Sequence, residues 1–120
     1  VVGGPTLGAD ALTIGIAGIQ RCRWFFVRKE PKGRGTNKLI EGSPIGDGDR
    51  CLVVEDAITT GGSLLKAIDA VEETGATVVA VATLVDRGDI AAPQLKEREI
   101  TYFPLANYKD LGIDPVLPPD

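Results

Sequence analysis

The chain has no histidine and no methionine, two cysteines, and few aromatics: one Trp, two Tyr and three Phe in 120 residues. Without histidine there is no imidazole for general acid–base work, no Ser-His-Asp triad, and no ligand set for most zinc sites. Cys22 and Cys51 stand in or beside apolar segments with no CxxC spacing, which reads as buried reduced thiols rather than a disulfide or a metal pair. No apolar run approaches about 18 residues and no signal-peptide pattern opens the chain, so no spanning segment is expected and a soluble cytoplasmic protein is the default. The net charge of -4 argues against a general nucleic-acid surface, which needs excess Lys and Arg to displace counterions from phosphates. Any anion site must therefore be local. The missing methionine and the abrupt start on Val1-Val2-Gly3-Gly4 give the expectation of a fragment, or the ordered part, of a longer protein.

What is present fits one globular domain over residues 1–120, at 43% hydrophobic and 25% charged residues, with a small core. Val1-Val2 running into Gly3, Gly4, Pro5 and Gly8 reads as the end of a strand and a glycine-rich turn. Residues 9–17 read as helix, with Leu12, Ile16 and Ile19 about a turn apart, and residues 24–27 as a short strand. Residues 28–44 are polar, basic and broken by glycine and proline, a loop too long for a simple turn. A buried strand at 51–54, a helix at 63–74 stopped by Gly75, and the strand VVAVATLV at 78–85 form a βαβ unit, which implies a parallel sheet covered on both faces. Residues 100–104 read as one further strand. The Pro- and Asp-rich tail from residue 110 promises little regular structure.

The stretch VVEDAITTGGS, residues 53–63, carries the chemistry. Ligands of parallel sheets bind beyond the carboxyl ends of the strands. There the glycines allow a tight turn, the amides of residues 59–63 open a helix, and the hydroxyls of Thr59, Thr60 and Ser63 add donors: a phosphate cradle. It is neither a Walker loop nor GxGxxG. A plainer reading makes Ser63 a helix cap after a glycine turn. The acids Glu55 and Asp56 weigh against it, since carboxylates beside a phosphate repel it unless they hold another part of the ligand, and vicinal hydroxyls of a sugar suit them. A sugar phosphate fits the whole string.

That string closely resembles the phosphoribosyl pyrophosphate (PRPP) signature of type I phosphoribosyltransferases. FVRKEPKGRGTNKLIEG, residues 26–42, resembles the mobile catalytic loop of the orotate phosphoribosyltransferases: Arg28, Lys29 and Lys32 match its Arg-Lys-Glu-x-Lys core, and Ile40, Glu41 and Gly42 match its return. Arg87 in LVDRGD takes the place of the arginine that pairs with the orotate carboxylate. The resemblance runs from the turn at residues 3–8 to about Asp89. It implies a parallel-sheet, Rossmann-like α/β fold and transfer of phosphoribose from PRPP to orotate, giving orotidine 5'-monophosphate and pyrophosphate in pyrimidine synthesis. It further implies Lys29, Lys32 and Arg34 as catalytic. Arg28, Lys29, Lys32 and Arg34, with Glu55, Asp56, Ala57, Ile58, Thr59, Thr60, Gly61, Gly62 and Ser63, would bind PRPP, and Thr59 and Arg87 orotate. Mg²⁺ is implied as a cofactor carried mainly by PRPP, with no direct protein ligand. The partner is a second copy of the chain, because in the family the loop reaches the neighbouring subunit's site; no nucleic acid or membrane is implied.

Four departures stand out: Arg34 replaces the usual loop histidine, Glu55 the more common Asp, the turn GGPTLGADA lacks a lysine some members place there, and the family's N-terminal hood is expected to be missing. A purine-type phosphoribosyltransferase would share residues 55–63 but not the basic loop with Arg87. A PRPP-binding regulator of the same fold would have little need of that loop. The basic run could be a solvated face, the acids could cap a turn, and Arg87 could form a surface ion pair with Asp86.

Overall fold

The computed structural model describes residues 1–33 and 39–118. Its centre is a six-stranded sheet in the order β3-β2-β1-β4-β5-β6. The strands are β1 (Val2–Pro5), β2 (Trp24–Val27), β3 (Ile40–Gly42), β4 (Arg50–Ile58), β5 (Thr77–Asp86) and β6 (Thr101–Asn107). Five run parallel; β3 alone pairs antiparallel, against β2. The expected parallel sheet is present with one antiparallel edge, since the basic segment doubles back through β3 instead of staying loop along its length.

Several expected boundaries move for identifiable reasons. β1 continues through Gly3, Gly4 and Pro5 instead of turning there. A Cβ on Gly3 would enter the Phe25 ring, and one on Gly4 would meet the Val54 carbonyl and Ala9. These glycines therefore serve close packing in a central strand, a use that glycine in strands often has. β4 extends past the apolar run to Ile58, so the two acids lie on the strand itself. Helix α1 spans Asp10–Gln20 and α2 spans Gly62–Glu72. A third helix, α3 (Ala91–Glu97), was not anticipated; it buries Ala91 and Leu95. β6 reaches Asn107, whose side chain accepts from the amides of Lys109 and Asp110 and caps the single turn α4 (Tyr108–Leu111).

The helices fall on opposite faces. α2 and α3 set Leu64, Ile68, Val71 and Leu95 against Phe25, Val53 and Val81. On the other face α1 packs Ala17, with Leu12 and Ile16, against Val2, Val54 and Trp24. That face is covered over β1, β2 and β4; Leu84, Phe103 and Leu105, farther along it, are 42%, 54% and 74% exposed. Cys51 is buried, Cys22 half-buried, and both are free thiols. Among the described residues no helix is long and apolar enough to cross a membrane.

Candidate functional site

Chain direction in the sheet places the site. From β1 the chain passes through α1 outward to β2; from β4 it passes through α2 to β5 on the other side. The connections diverge between adjacent β1 and β4, and a crevice opens at such a switch point beyond the strand ends. A cleft of about 220 Å³ lies there, lined by residues 5–8, Lys29 and residues 55–64.

The acids form its floor. Glu55 is buried, whereas Asp56 is exposed. Burial, with the neighbouring Asp56 second, pushes the Glu55 carboxyl up to about 7. Local backbone bonds fix both groups: the Asp56 amide donates to Glu55 Oε1 at 3.2 Å and the Ala57 amide to Asp56 Oδ1 at 2.7 Å. Buried Thr83 of β5 donates its hydroxyl to the Asp56 carbonyl at 3.3 Å. Across the cleft Gly8 presses on Asp56, since a Cβ there would lie 2.6–2.9 Å from the carboxylate.

The second wall is the β4–α2 junction. Gly61 adopts φ +84°, a left-handed conformation that L side chains rarely take, and α2 starts at the next residue. The first helical bond runs from the Leu65 amide to the Gly61 carbonyl. The amides of Gly62, Ser63 and Leu64 therefore precede the first intrahelical donor, have no acceptor within the helix, and line the cleft. Ser63 sits inside the first turn, and the N-cap residue Gly61 makes no side-chain cap, so the plain capping reading does not describe this serine. The wall offers backbone donors, hydroxyls and the positive end of an eleven-residue helix.

The basic segment is only partly brought in. Lys29 lines the cleft. Arg28 instead donates to Glu41 Oε1 at 2.7 Å, and Lys32 stands 3.7 Å from the same oxygen. The Arg28 bond, above all, holds the Glu41 carboxyl below its ordinary range. Arg34 lies outside the described residues. Arg87 is exposed and does not line the cleft, but its amide donates to the Ile58 carbonyl at 2.8 Å, which fastens it beside the start of the Thr59 loop. The alternative of an ion pair between Arg87 and Asp86 is not met among the described residues: Asp86 accepts from Tyr102 and from the Gly88 amide.

Two contributors stand outside the site residues read from the sequence. The turn at residues 6–8 forms one side of the cleft; Gly8 was a signal, but only the adjacency of β1 and β4 aims the turn at Asp56. Glu41 was read as part of the loop's return, without its role as partner to Arg28 and Lys32. Among the described residues no group of three His, Cys, Asp or Glu side chains could hold a metal ion.

Comparison with known proteins gives a consistent picture. Residues 7–102 match the family model of the phosphoribosyl transferase domain. The chain is 47% identical over 115 residues to orotate phosphoribosyltransferase of Mycobacterium leprae, covering 94% of this chain and 64% of that protein. It is 44% identical over 111 residues to the enzyme of the same name from Methanothermobacter thermautotrophicus, covering 92% and 61%. The crystal structure of Mycobacterium tuberculosis H37Rv orotate phosphoribosyltransferase in complex with PRPP superposes with a TM-score of 0.75 at 41% identity, over 93% of this chain and 64% of that one. The chain thus spans somewhat under two thirds of the length of these relatives.

Proposed function

The chain belongs to the phosphoribosyltransferase family, and within it we propose that residues 1–120 are the core domain of an orotate phosphoribosyltransferase. The observation that carries the reading is the sharing of one cleft by the acid pair Glu55–Asp56, the amide-rich loop at Thr59–Ser63 and Lys29. That arrangement suits a ligand with hydroxyls at one end and phosphate at the other. The relatives named above support orotate as the acceptor base, and Arg87 supplies a cation for its carboxylate beside Thr59.

The chemistry follows from those places. The amides of Gly62 and Ser63, with the hydroxyls of Thr59, Thr60 and Ser63, hold the 5'-phosphate. Asp56 accepts from the ribose hydroxyls, joined by Glu55 when ionised. As the bond to pyrophosphate breaks, the anomeric carbon gains oxocarbenium character and the leaving group gains charge. Stabilising that charge is the larger task, and it falls to Lys29, Lys32, Arg28 and Arg34. Mg²⁺ would enter on PRPP, where it offsets diphosphate charge. Arg28 and Lys32 are held by Glu41, away from the cleft lining, which fits delivery of the basic segment to a second copy's cleft in a homodimer. Closing that segment excludes water from a carbon that water would capture. A cytoplasmic setting goes with this reading.

The test is pyrophosphate release with PRPP, Mg²⁺ and each base in turn. Turnover with orotate alone is expected. Turnover with adenine, guanine or hypoxanthine would move the chain to the purine branch, and PRPP binding without turnover on any base would make it a regulator.

A further inference from the structure

Arg87 stands in the sequence Asp86-Arg87-Gly88-Asp89, where either acid could neutralise it. In the fold both acids are engaged elsewhere, each by one of the chain's two tyrosines. The Tyr102 hydroxyl, on β6, donates to Asp86 Oδ2 at 2.8 Å, while Asp86 Oδ1 accepts from the Gly88 amide at 3.1 Å. The Tyr108 hydroxyl, opening α4, donates to Asp89 Oδ2 at 2.8 Å. Burial and then the Asp86 bond push the Tyr102 phenol up; for Tyr108 the Asp89 bond is the larger cause. Both hydroxyls thus remain donors. Arg87 joins none of the ion pairs among the described residues, although its backbone is pinned by the Ile58 carbonyl on one side and the Val116 amide on the other.

We propose that Tyr102 and Tyr108 are specificity-determining residues that occupy the carboxylates flanking Arg87 and so leave its guanidinium for a carboxylated pyrimidine. This rests on the orotate reading and adds a requirement to it. A cation between two acids recognises an external carboxylate only if the internal ones are held back. The tyrosines do this without adding positive charge, whereas a lysine or arginine partner would create a second anion site next to the first. They act through the acids and touch neither substrate nor reacting atoms.

The discriminating experiment uses Tyr108→Phe, which removes one hydroxyl from a half-buried ring, alone and together with Asp89→Asn. Tyr108→Phe is expected to raise the orotate KM about threefold, the scale of competition by an exposed ion pair, with kcat and the KM for PRPP unchanged. Adding Asp89→Asn, which removes the competing charge, is expected to restore the orotate KM. A tyrosine that only packs would not be rescued in this way. Hydrogen exchange of the Arg87 guanidinium, followed by NMR without substrate, should slow in Tyr108→Phe as Asp89 turns to it. Unchanged exchange, or failure of Asp89→Asn to restore the KM, overturns the proposal. Slowed exchange in a protein that uses no carboxylated base would uphold the sequestration and overturn the orotate reading instead.

Discussion

The crevice at residues 55–63 and the corner at residues 86–89 sit side by side and are built in opposite ways. The acid floor and phosphate wall of the crevice are one continuous piece of chain, the end of β4, a three-residue loop and the first turn of α2, with residues 5–8 and Lys29 completing the lining. Its acids are fixed by bonds to their own neighbours. The corner is assembled from four places, with Ile58 from β4, Tyr102 from β6, Tyr108 from α4 and Val116 from the tail all bonding to residues 86–89. A site made by one segment is written in the order of its residues. A corner made by four is written in the fold, and its geometry depends on every one of them staying in place.

If the crevice is self-contained, its largest internal cost is the buried acid. The Glu55 carboxyl rises from the usual 4.5 to about 7. Between those values the folded state binds a proton that the unfolded state has released. Stability therefore falls as pH rises through this window; the penalty is absent below 4.5 and complete above 7, on the order of 3 kcal/mol. Glu55→Gln carries no such penalty. It should match the parent near pH 4.5 and exceed it by that amount at pH 8 in urea unfolding, and parallel curves would show that Glu55 titrates normally.

Next come two reciprocal substitutions that split the regions by ligand. Asp56→Asn removes a charged acceptor and should weaken PRPP binding by about 1.5–3 kcal/mol, leaving the orotate KM alone. Arg87→Ala should raise the orotate KM by about tenfold, the loss of one charge-assisted hydrogen bond, leaving PRPP affinity alone. Titration calorimetry and steady-state kinetics read both. Crossed effects would mean that the two regions act as one.

The same contrast explains what the sequence disclosed. Residues 53–63 could be read because strand, acids, glycines and helix start are local signals, and the backbone bears that order out, with the strand running four residues further than its apolar run. β2 was legible to the residue, since aromatic and β-branched side chains fill it and the chain breaks on both sides. The glycines of β1 misled, because a strand squeezed between Phe25 and Val54 carries the same residues as a turn. α3 escaped notice for want of a long apolar repeat: seven residues with Pro93 inside, held by two buried side chains. Nor could the order of residues tell that Asp86 and Asp89 belong to tyrosines 16 and 19 positions away; β6 must first lie beside β5.

The finest test of the comparison places one methyl group in each region. At Gly61 the backbone has φ +84°, so alanine is strained in itself, by about 1–2 kcal/mol; the damage should fall on PRPP binding. At Gly88 a Cβ would approach the Val116 carbonyl oxygen at 2.5 Å. That neighbour is backbone, so the tail must shift, and the Val116 amide bond to the Arg87 carbonyl, 2.7 Å long, is weakened with it. Gly88→Ala should therefore cost about 1 kcal/mol in stability, the net value of one hydrogen bond. It should raise the orotate KM modestly and spare PRPP affinity. The regions meet where Ile58 pairs with Asp86, and there the Arg87 amide donates to the Ile58 carbonyl. Should Gly88→Ala weaken PRPP binding as much as orotate recognition, that bond transmits the displacement, and base and sugar phosphate are read by a single coupled element rather than by two.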